Sequence, residues 1–338
     1  MPDIPFIQGL YTLSDDCHVW LEPDGGWGFS NSGLVVGKGA SLLIDTLFDP
    51  PMTENMVTHM RGLVEDRPIT TLFNTHSDGD HWFGNQIVIG ADIIATNTSA
   101  EEMHSKGPES IDRMRQLPGE TGDFAREAFG PFDWNNVTPT YPTTTFAKEL
   151  TLDVGGVEVQ LLNLGPAHTG GDAIAWVPGS KTLFTGDLLF NGATPIVWAG
   201  PVNGWVRACN VMEELGAEVV VPGHGPVTDV STIRLIRDYL EYIIAQAKEM
   251  HAAGVPAAEA ARRIPLGRFA ELDAGERIVQ NVLAVYYECD PSMQKVDMMG
   301  ICDQMADMHF HGHGYSHDHA PAATATESRR QTNATGHL

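Results

Sequence analysis

The sequence is poor in basic residues, and this shortage excludes one broad class of partner. Only 20 Lys and Arg stand against 44 Asp and Glu, which gives a formal net charge of −24 over 338 residues. A protein of this charge repels the phosphate backbone of nucleic acids at long range. We therefore expect a small-molecule substrate rather than a nucleic-acid partner.

Cysteines and long apolar runs are also scarce. The 4 cysteines lie far apart without a CxxC pair, so neither a disulfide framework nor a zinc knuckle is indicated. No run approaches the roughly 20 apolar residues of a membrane span, and the N-terminus lacks the pattern of a signal peptide. These features predict a cytoplasmic protein with no membrane partner.

The composition is otherwise that of a globular protein, with 42% hydrophobic residues. Short, partly alternating apolar segments at 6–47 predict strands, and a helical pattern at 51–64 leads to another strand at 69–75. A second β-rich half follows at 149–223, with a helix near 203–215. Two such halves predict an α/β fold in which two sheets pack face to face with helices outside.

Three further regions differ from these halves. Residues 98–135 combine helical pieces with Gly, Pro and aromatic residues, which is typical of a functional lid. Residues 229–308 predict a helical extension, whose Met and Cys residues at helical spacing indicate a packing stripe or an oligomer interface. Residues 309–338 form a His-rich tail with too little apolar content to fold alone. Residues 1–228 would then form the catalytic domain.

Potential metal ligands follow four of the predicted strands. The segment His76-Ser-Asp78-Gly-Asp80-His81 follows the first of them, and His168, Asp187 and His224 each follow another. Strand ends hold side chains rigidly at the edge of a sheet, where sites are commonly built. Two such ligand sets with a shared carboxylate are typical of a two-metal catalytic site.

The combined order HxDxDH, AH, GD and GHG resembles the metallo-β-lactamase-fold superfamily over roughly residues 6–228. The resemblance implies a four-layer αββα sandwich that binds two divalent metal ions. It implies one metal held by His76, Asp78 and His168, another held by Asp80, His81 and His224, and a bridging Asp187.

Two positions depart from common patterns of that family. Asp78 stands where the HxHxDH signature has its second His, and this extra carboxylate favours Mn or Fe more than an all-imidazole set, although we expect Zn first. The flavodiiron branch resembles this site, but it has a flavodoxin-like domain where this chain has helices. Alternatively, Asp78 does not ligate at all. Asp187 stands where β-lactam-hydrolysing branches have Cys or Ser.

The resemblance implies hydrolysis by a bridging hydroxide that Asp80 orients, with Asp45, Thr169 and Asp172 as candidate supports for the ligands. Lys and Arg are scarce near the motifs, which disfavours anionic substrates. We expect cleavage of an ester, lactone or activated ether in a small neutral substrate. An aromatic substrate would suit the flanking aromatic residues: Trp27, Phe29, Trp82, Phe83 and Trp198. The alternatives are an iron-dependent oxidoreductase or dioxygenase and a β-lactamase-like amide hydrolase.

Overall fold

The computed structural model describes residues 4–312 and contains two β-sheets. The larger sheet has seven strands in chain order, with antiparallel pairing from β1 to β4 and parallel pairing from β4 to β7. Its strands are β1 (Gly9–Thr12), β2 (Cys17–Leu21), β3 (Ser32–Val36), β4 (Ser41–Ile44), β5 (Ile69–Phe73), β6 (Asp92–Thr96) and β7 (Thr144–Phe146).

The smaller sheet has five strands in the order β12-β11-β10-β9-β8. Its strands are β8 (Glu149–Val154), β9 (Val157–Asn163), β10 (Ala173–Val177), β11 (Thr182–Phe184) and β12 (Val219–Val221). Neighbours pair antiparallel except β11 and β12, which are parallel. The loops that follow β11 and β12 therefore leave the sheet at the same edge.

The sheets pack face to face because alternate side chains of each strand point into a shared core. Val35 and Ile44 of the larger sheet pack there with Val159, Leu161 and Phe184 of the smaller one. This core is what the two β-rich halves of the sequence predict.

The outward faces of both sheets are covered by helices. Leu34 and Leu43 of the larger sheet pack against Met56 of helix α1 (Pro50–Val64). On the smaller sheet, Leu183 and Val220 belong to a cluster that includes residues of α5 (Val202–Glu214) and α6 (Val230–Ala252). The predicted four-layer αββα arrangement is confirmed.

The remaining helices lie at the lid and at the C-terminal side. The lid segment contains α2 (Asn97–Met103), α3 (Glu109–Arg115) and α4 (Gly119–Phe129). After α6 come α7 (Ala257–Arg263), α8 (Ile278–Cys289) and α9 (Met298–His311). The last helix begins six residues later than the predicted start at 292, where Asp297 caps it by accepting a hydrogen bond from Gly300 N.

The last helix also continues through His309 to His311, which the sequence places in the tail. The predicted tail from residue 313 onwards lies outside the described residues. None of the helices in residues 4–312 is both long and apolar enough to cross a membrane. The cytoplasmic location stays a prediction.

Candidate metal centre

The fold brings all the ligands predicted from the sequence to one edge of the sandwich. The loop after β5 carries His76, Asp78, Asp80 and His81, and the loops after β9, β11 and β12 carry the other three. Each imidazole among them is at most 2% exposed. The candidate ligands form two groups around Asp187. We call the candidate position of His76, Asp78 and His168 the first metal position, and that of Asp80, His81 and His224 the second metal position.

At the first metal position, His76, His168 and Asp187 each present one ligand atom within 4.8 Å of the others. Asp187 Oδ2 lies 3.8 Å from His76 Nε2 and 3.4 Å from His168 Nε2. Three donors at this spacing can surround one metal ion.

At the second metal position, the ligand atoms of Asp80, His81 and His224 also lie within 4.8 Å of one another. His224 Nε2 is 3.2 Å from Asp80 Oδ2 and 3.4 Å from Asp187 Oδ2, and His81 Nε2 is 3.1 Å from Asp187 Oδ1. Asp187 thus faces both groups, as a bridging carboxylate would.

Asp78 is placed differently from the other ligands. Its Oδ2 lies 3.1 Å from His168 Nε2, while its Oδ1 accepts a 2.7 Å hydrogen bond from Lys106 Nζ. Lys106 follows α2 in the lid segment and also donates to Ser77 Oγ. Lys106 could not be predicted at the site, because nothing in the sequence near Asp78 indicates a lysine 28 residues away.

Hydrogen bonds at Nδ1 turn three of the imidazoles so that Nε2 faces the centre. His81 Nδ1 bonds Asp45 Oδ2 at 2.9 Å, His168 Nδ1 bonds Ile196 O at 2.7 Å, and His76 Nδ1 contacts Thr75 Oγ1 at 2.9 Å. Partners of this kind are what metal-ligating histidines require. Asp45, predicted as either a ligand support or a loop cap, supports His81.

Asp172 supports the other side of the centre through the backbone. Its carboxylate accepts hydrogen bonds from Thr169 N, Thr169 Oγ1 and Ala167 N, and so holds the turn that carries His168. Burial raises the pKa of Asp172 to about 6, although the nearby His168 and these bonds oppose the rise. Thr169 and Asp172 thus lie where the sequence predicted ligand supports.

A glycine beside His224 makes room for the shared carboxylate. A Cβ atom at Gly223 would lie 2.0 Å from Asp187 Oδ1, so a side chain there would displace Asp187. Gly223, the first glycine of the GHG motif, is therefore required so that Asp187 can pack beside His224.

The carboxylates control the protonation of the imidazoles. Burial and the neighbouring His81 lower the pKa of His76 to about 3. Burial also opposes protonation of His168 and His81, but the charges of Asp78 and Asp187 raise the pKa of His168 to about 9. Asp187, Asp80 and Asp45 likewise raise the pKa of His81 well above its usual value. In this state protons supply positive charge that metal cations would replace.

The donor set fits divalent metal ions. It combines imidazole nitrogens with carboxylate oxygens, the ligands that Zn²⁺, Mn²⁺ and Fe²⁺ accept. The buried Nε2 atoms of His76 and His81 make no hydrogen bond within the described residues, although both face the centre. Buried polar atoms without hydrogen bonds are costly, and a metal ion at each position would bind these nitrogens.

A cavity of about 810 Å³ opens onto the centre, where Asp78, Asp80, His168, Asp187 and His224 line it. Of the flanking aromatic residues, Trp27, Phe83 and Trp198 line this cavity. Phe29 and Trp82 do not; they pack in an aromatic cluster that includes Phe132. The cavity is thus partly aromatic, as the sequence suggested.

Arg277, just before α8, is a second cation that the sequence analysis did not place at the site. Its side chain is 1% exposed, lines the cavity, and lies 4.2 Å from the ring centre of Trp27 and 5.0 Å from that of Phe190. Phe190 in turn stacks on His224 at 5.2 Å. The helical extension therefore contributes to the wall of the site.

The family model of the metallo-beta-lactamase superfamily matches residues 25–224, more than half of the chain. This chain belongs to that superfamily. The match ends at His224, the last of the candidate ligands, so the superfamily region contains all of them. The resemblance inferred from the HxDxDH, AH, GD and GHG motifs is confirmed.

Two curated relatives are similar to this chain. Metallo-beta-lactamase type 2 of Bacteroides fragilis is 25% identical over 242 residues, which cover 68% of this chain and 85% of the relative. The 2,4-dinitroanisole O-demethylase subunit alpha of Nocardioides sp. (strain JS1661) is 23% identical over 214 residues, which cover 61% of this chain. This alignment spans only 55% of the demethylase subunit.

Among solved structures, the sec-alkylsulfatase Pisa1 from Pseudomonas sp. matches with a TM-score of 0.65 at 17% identity. The match covers 85% of this chain and 51% of that one. Because this share exceeds the predicted catalytic domain of residues 1–228, the shared fold includes part of the helical extension.

Proposed function

We propose that this chain is a binuclear metal-dependent hydrolase that cleaves an ester, lactone or activated ether in a neutral substrate. The observation that carries the proposal is the arrangement around Asp187: two groups of buried ligands face one carboxylate, directly beneath an open cavity. Divalent metals in such a pair lower the pKa of a water molecule and polarise the bond to be cleaved.

Asp80 is our candidate catalytic residue. Its side chain is 13% exposed and lines the cavity, whereas Asp187 beside it is 5% exposed. Its carboxylate can accept a hydrogen bond from the attacking water and orient that water towards the substrate. His224, 3.2 Å away, holds the same carboxylate in place.

The charges in the cavity support a neutral substrate. Lys106 is paired with Asp78 at 2.7 Å and lies 3.8 Å from Glu102, and Arg277 is stacked between aromatic rings. Two of the three cations that line the cavity are therefore engaged within the protein, and the third is the exposed Arg113 of the lid, while Glu102, Asp78, Asp80 and Asp187 contribute negative charge. The similarity to an O-demethylase subunit acting on 2,4-dinitroanisole supports including activated aryl ethers.

The test is turnover of p-nitrophenyl acetate, a γ-lactone, 2,4-dinitroanisole and nitrocefin by protein loaded with Zn, Mn or Fe. We expect hydrolysis of at least one of the first three without oxygen uptake, and its loss on chelation. Asp80→Asn should reduce kcat by about 10²- to 10⁴-fold. The exposed Asp66→Asn is the control and should match the wild type.

Product formation that consumes oxygen and requires Fe would instead support the oxidoreductase alternative. Cleavage of nitrocefin alone would support the amide hydrolase alternative. Either result would contradict the proposal.

A further inference from the structure

The cavity over the metal centre is large for the substrate that the ligands alone suggest. Its volume of about 810 Å³ falls in the upper part of the range of about 300–1,000 Å³ that drug-sized ligands occupy. A simple lactone or short ester would fill only a fraction of it. The remaining space must have walls suited to another part of the substrate.

Those walls are apolar and come from separate parts of the chain. The strand loops contribute Trp27, Phe48 and Phe83, the lid contributes Met114, Phe124 and Phe129, and α9 contributes Met298, Met299, Ile301, Cys302 and Met305. We call this combined surface the apolar chamber. No single element supplies all of these residues. The chamber therefore exists only where the lid, the helical extension and the catalytic domain meet.

Helix α9 is held in this place by several contacts. It packs on α4 and α8, and Cys302 Sγ lies 3.4 Å from Met114 Sδ of α3. Near its C-terminal end, His309 Nδ1 lies 3.7 Å from Glu276 Oε2, and Glu276 Oε1 accepts a 2.9 Å hydrogen bond from Trp27 Nε1. The helix is therefore a fixed part of the wall next to the lid.

The mouth of the chamber leaves apolar side chains in water. Met298 is 53% exposed and Met299 is 39% exposed. They are two of only five large apolar residues that are exposed within residues 4–312, and both line the cavity. Exposed apolar surface beside a binding cavity marks a place where a ligand covers it. Methionine adapts its shape readily, which suits a flexible chain or rings of varied outline.

We propose that α9 is a substrate-binding element and that the apolar chamber holds a bulky alkyl or aryl group of the substrate, whose scissile bond lies at the metals. This inference rests on the proposed hydrolase function and specifies its substrate class: amphipathic molecules with a polar, cleavable end and a large apolar body. Gln280 lines the same cavity, and its buried Oε1 accepts no hydrogen bond within the described residues, so it offers one polar contact to the substrate.

The first experiment measures kcat/KM for p-nitrophenyl acetate, butyrate, hexanoate and octanoate, with the holoenzyme as purified. Because burial of each methylene is favourable, kcat/KM should rise by up to about fourfold per added methylene. The double variant M298K/M299K should flatten this series. Variant I89K/V211K is the matched control, since Ile89 and Val211 are also exposed apolar residues but do not line the cavity.

The second experiment measures binding without catalysis. The neutral fluorescent probe N-phenyl-1-naphthylamine is bound to the holoenzyme and displaced with 2-butanone or 2-decanone, which contain no hydrolysable bond. We expect 2-decanone to displace the probe at concentrations at least about tenfold lower than 2-butanone. The M298K/M299K variant should lose most of this difference, and I89K/V211K should keep it.

The two experiments separate failure of the inference from failure of the proposed function. If probe displacement depends on chain length but no ester, lactone or ether is hydrolysed, the hydrolase function is contradicted and the apolar chamber is still supported. If the esters are hydrolysed with equal kcat/KM across the series, the substrate-binding role of the apolar chamber is contradicted and the hydrolase function is still supported. Equal displacement by both ketones, failure of the probe to bind, or an M298K/M299K variant that behaves like the wild type would also overturn the chamber.

Discussion

The first and second metal positions share Asp187 but differ in what surrounds their other ligands. At the second position His81 is fully buried and bonded to buried Asp45, and the backbone of Asp80 accepts a 2.5 Å hydrogen bond from Ser30 Oγ. At the first position Asp78 is 21% exposed and is bonded to Lys106, itself 33% exposed. One position is supported by the interior of the sandwich and the other by a lysine of the lid.

This difference indicates how the additional carboxylate of Asp78 is accommodated beside the other candidate ligands. Asp78 adds a negative charge where the family signature has an imidazole, and Lys106 offsets that charge from within the protein. A metal at the first position must share Asp78 with Lys106, whereas a metal at the second position has no such competitor on Asp80. We therefore expect the second position to bind its metal more tightly.

The largest effect should come from the residue that the two positions share. Asp187→Ala removes a ligand from both, so we expect the content of both metals to fall after dialysis and activity to drop by more than about 100-fold. Elemental analysis and turnover measure the two effects, with exposed Asp66→Ala as the control. A variant that keeps one full equivalent of metal would show that Asp187 serves only one position.

A matched pair of variants should separate the two positions. Asp45→Asn removes the charged partner of His81 and should weaken metal binding at the second position by about 10- to 100-fold. The loss at the first position should be smaller, because Asp45 reaches His76 only through Thr75. Asp172→Asn loosens the turn that carries His168 and should weaken the first position instead. Metal titration of each variant measures this, with the thermal unfolding temperature checking that the fold persists. If each variant lost the same affinity at both metal positions, the two positions would not be supported separately, and this prediction would be wrong.

The pH dependence of metal binding should also differ between the positions. In the metal-free protein the pKa of His168 is raised to about 9, and those of His81 and His224 are raised, whereas that of His76 is lowered to about 3. A protonated imidazole must lose its proton before it ligates, so affinity should fall as pH decreases below about 9.

The fall should be steeper at the second position, where both imidazoles have raised pKa values, than at the first, where only His168 does. Calorimetric titrations in buffers of different ionisation enthalpy measure the protons released at each step. Proton release that is equal at both positions would argue against the protonation states described for the metal-free centre.

The smallest effect should come from the residue that holds Lys106 without touching Asp78. Glu102 Oε2 lies 3.8 Å from Lys106 Nζ and accepts a 2.5 Å hydrogen bond from Ser77 Oγ. Glu102→Gln should change affinity at the first position by only a few-fold, as expected for a partly exposed ion pair. A change at the second position would contradict this placement.

The ligands and the sandwich could be predicted from the sequence because both leave local signals. Apolar strands ending in His or Asp mark the loops after β5, β9, β11 and β12, and alternation marks the faces of the sheets. Lys106, Arg277 and the apolar chamber leave no such signal. Each depends on contacts between segments far apart in the chain, such as Lys106 with Asp78 or Cys302 of α9 with Met114 of α3.

The most direct test is a stepwise zinc titration, measured by calorimetry, of metal-free wild-type protein and of the metal-free Lys106→Met variant. We predict two sites of unequal affinity in the wild type, and a Lys106→Met variant in which the weaker site tightens while the stronger one is unchanged. A single site, two equal sites, or a Lys106→Met variant identical to the wild type would contradict a two-metal centre made unequal by Lys106.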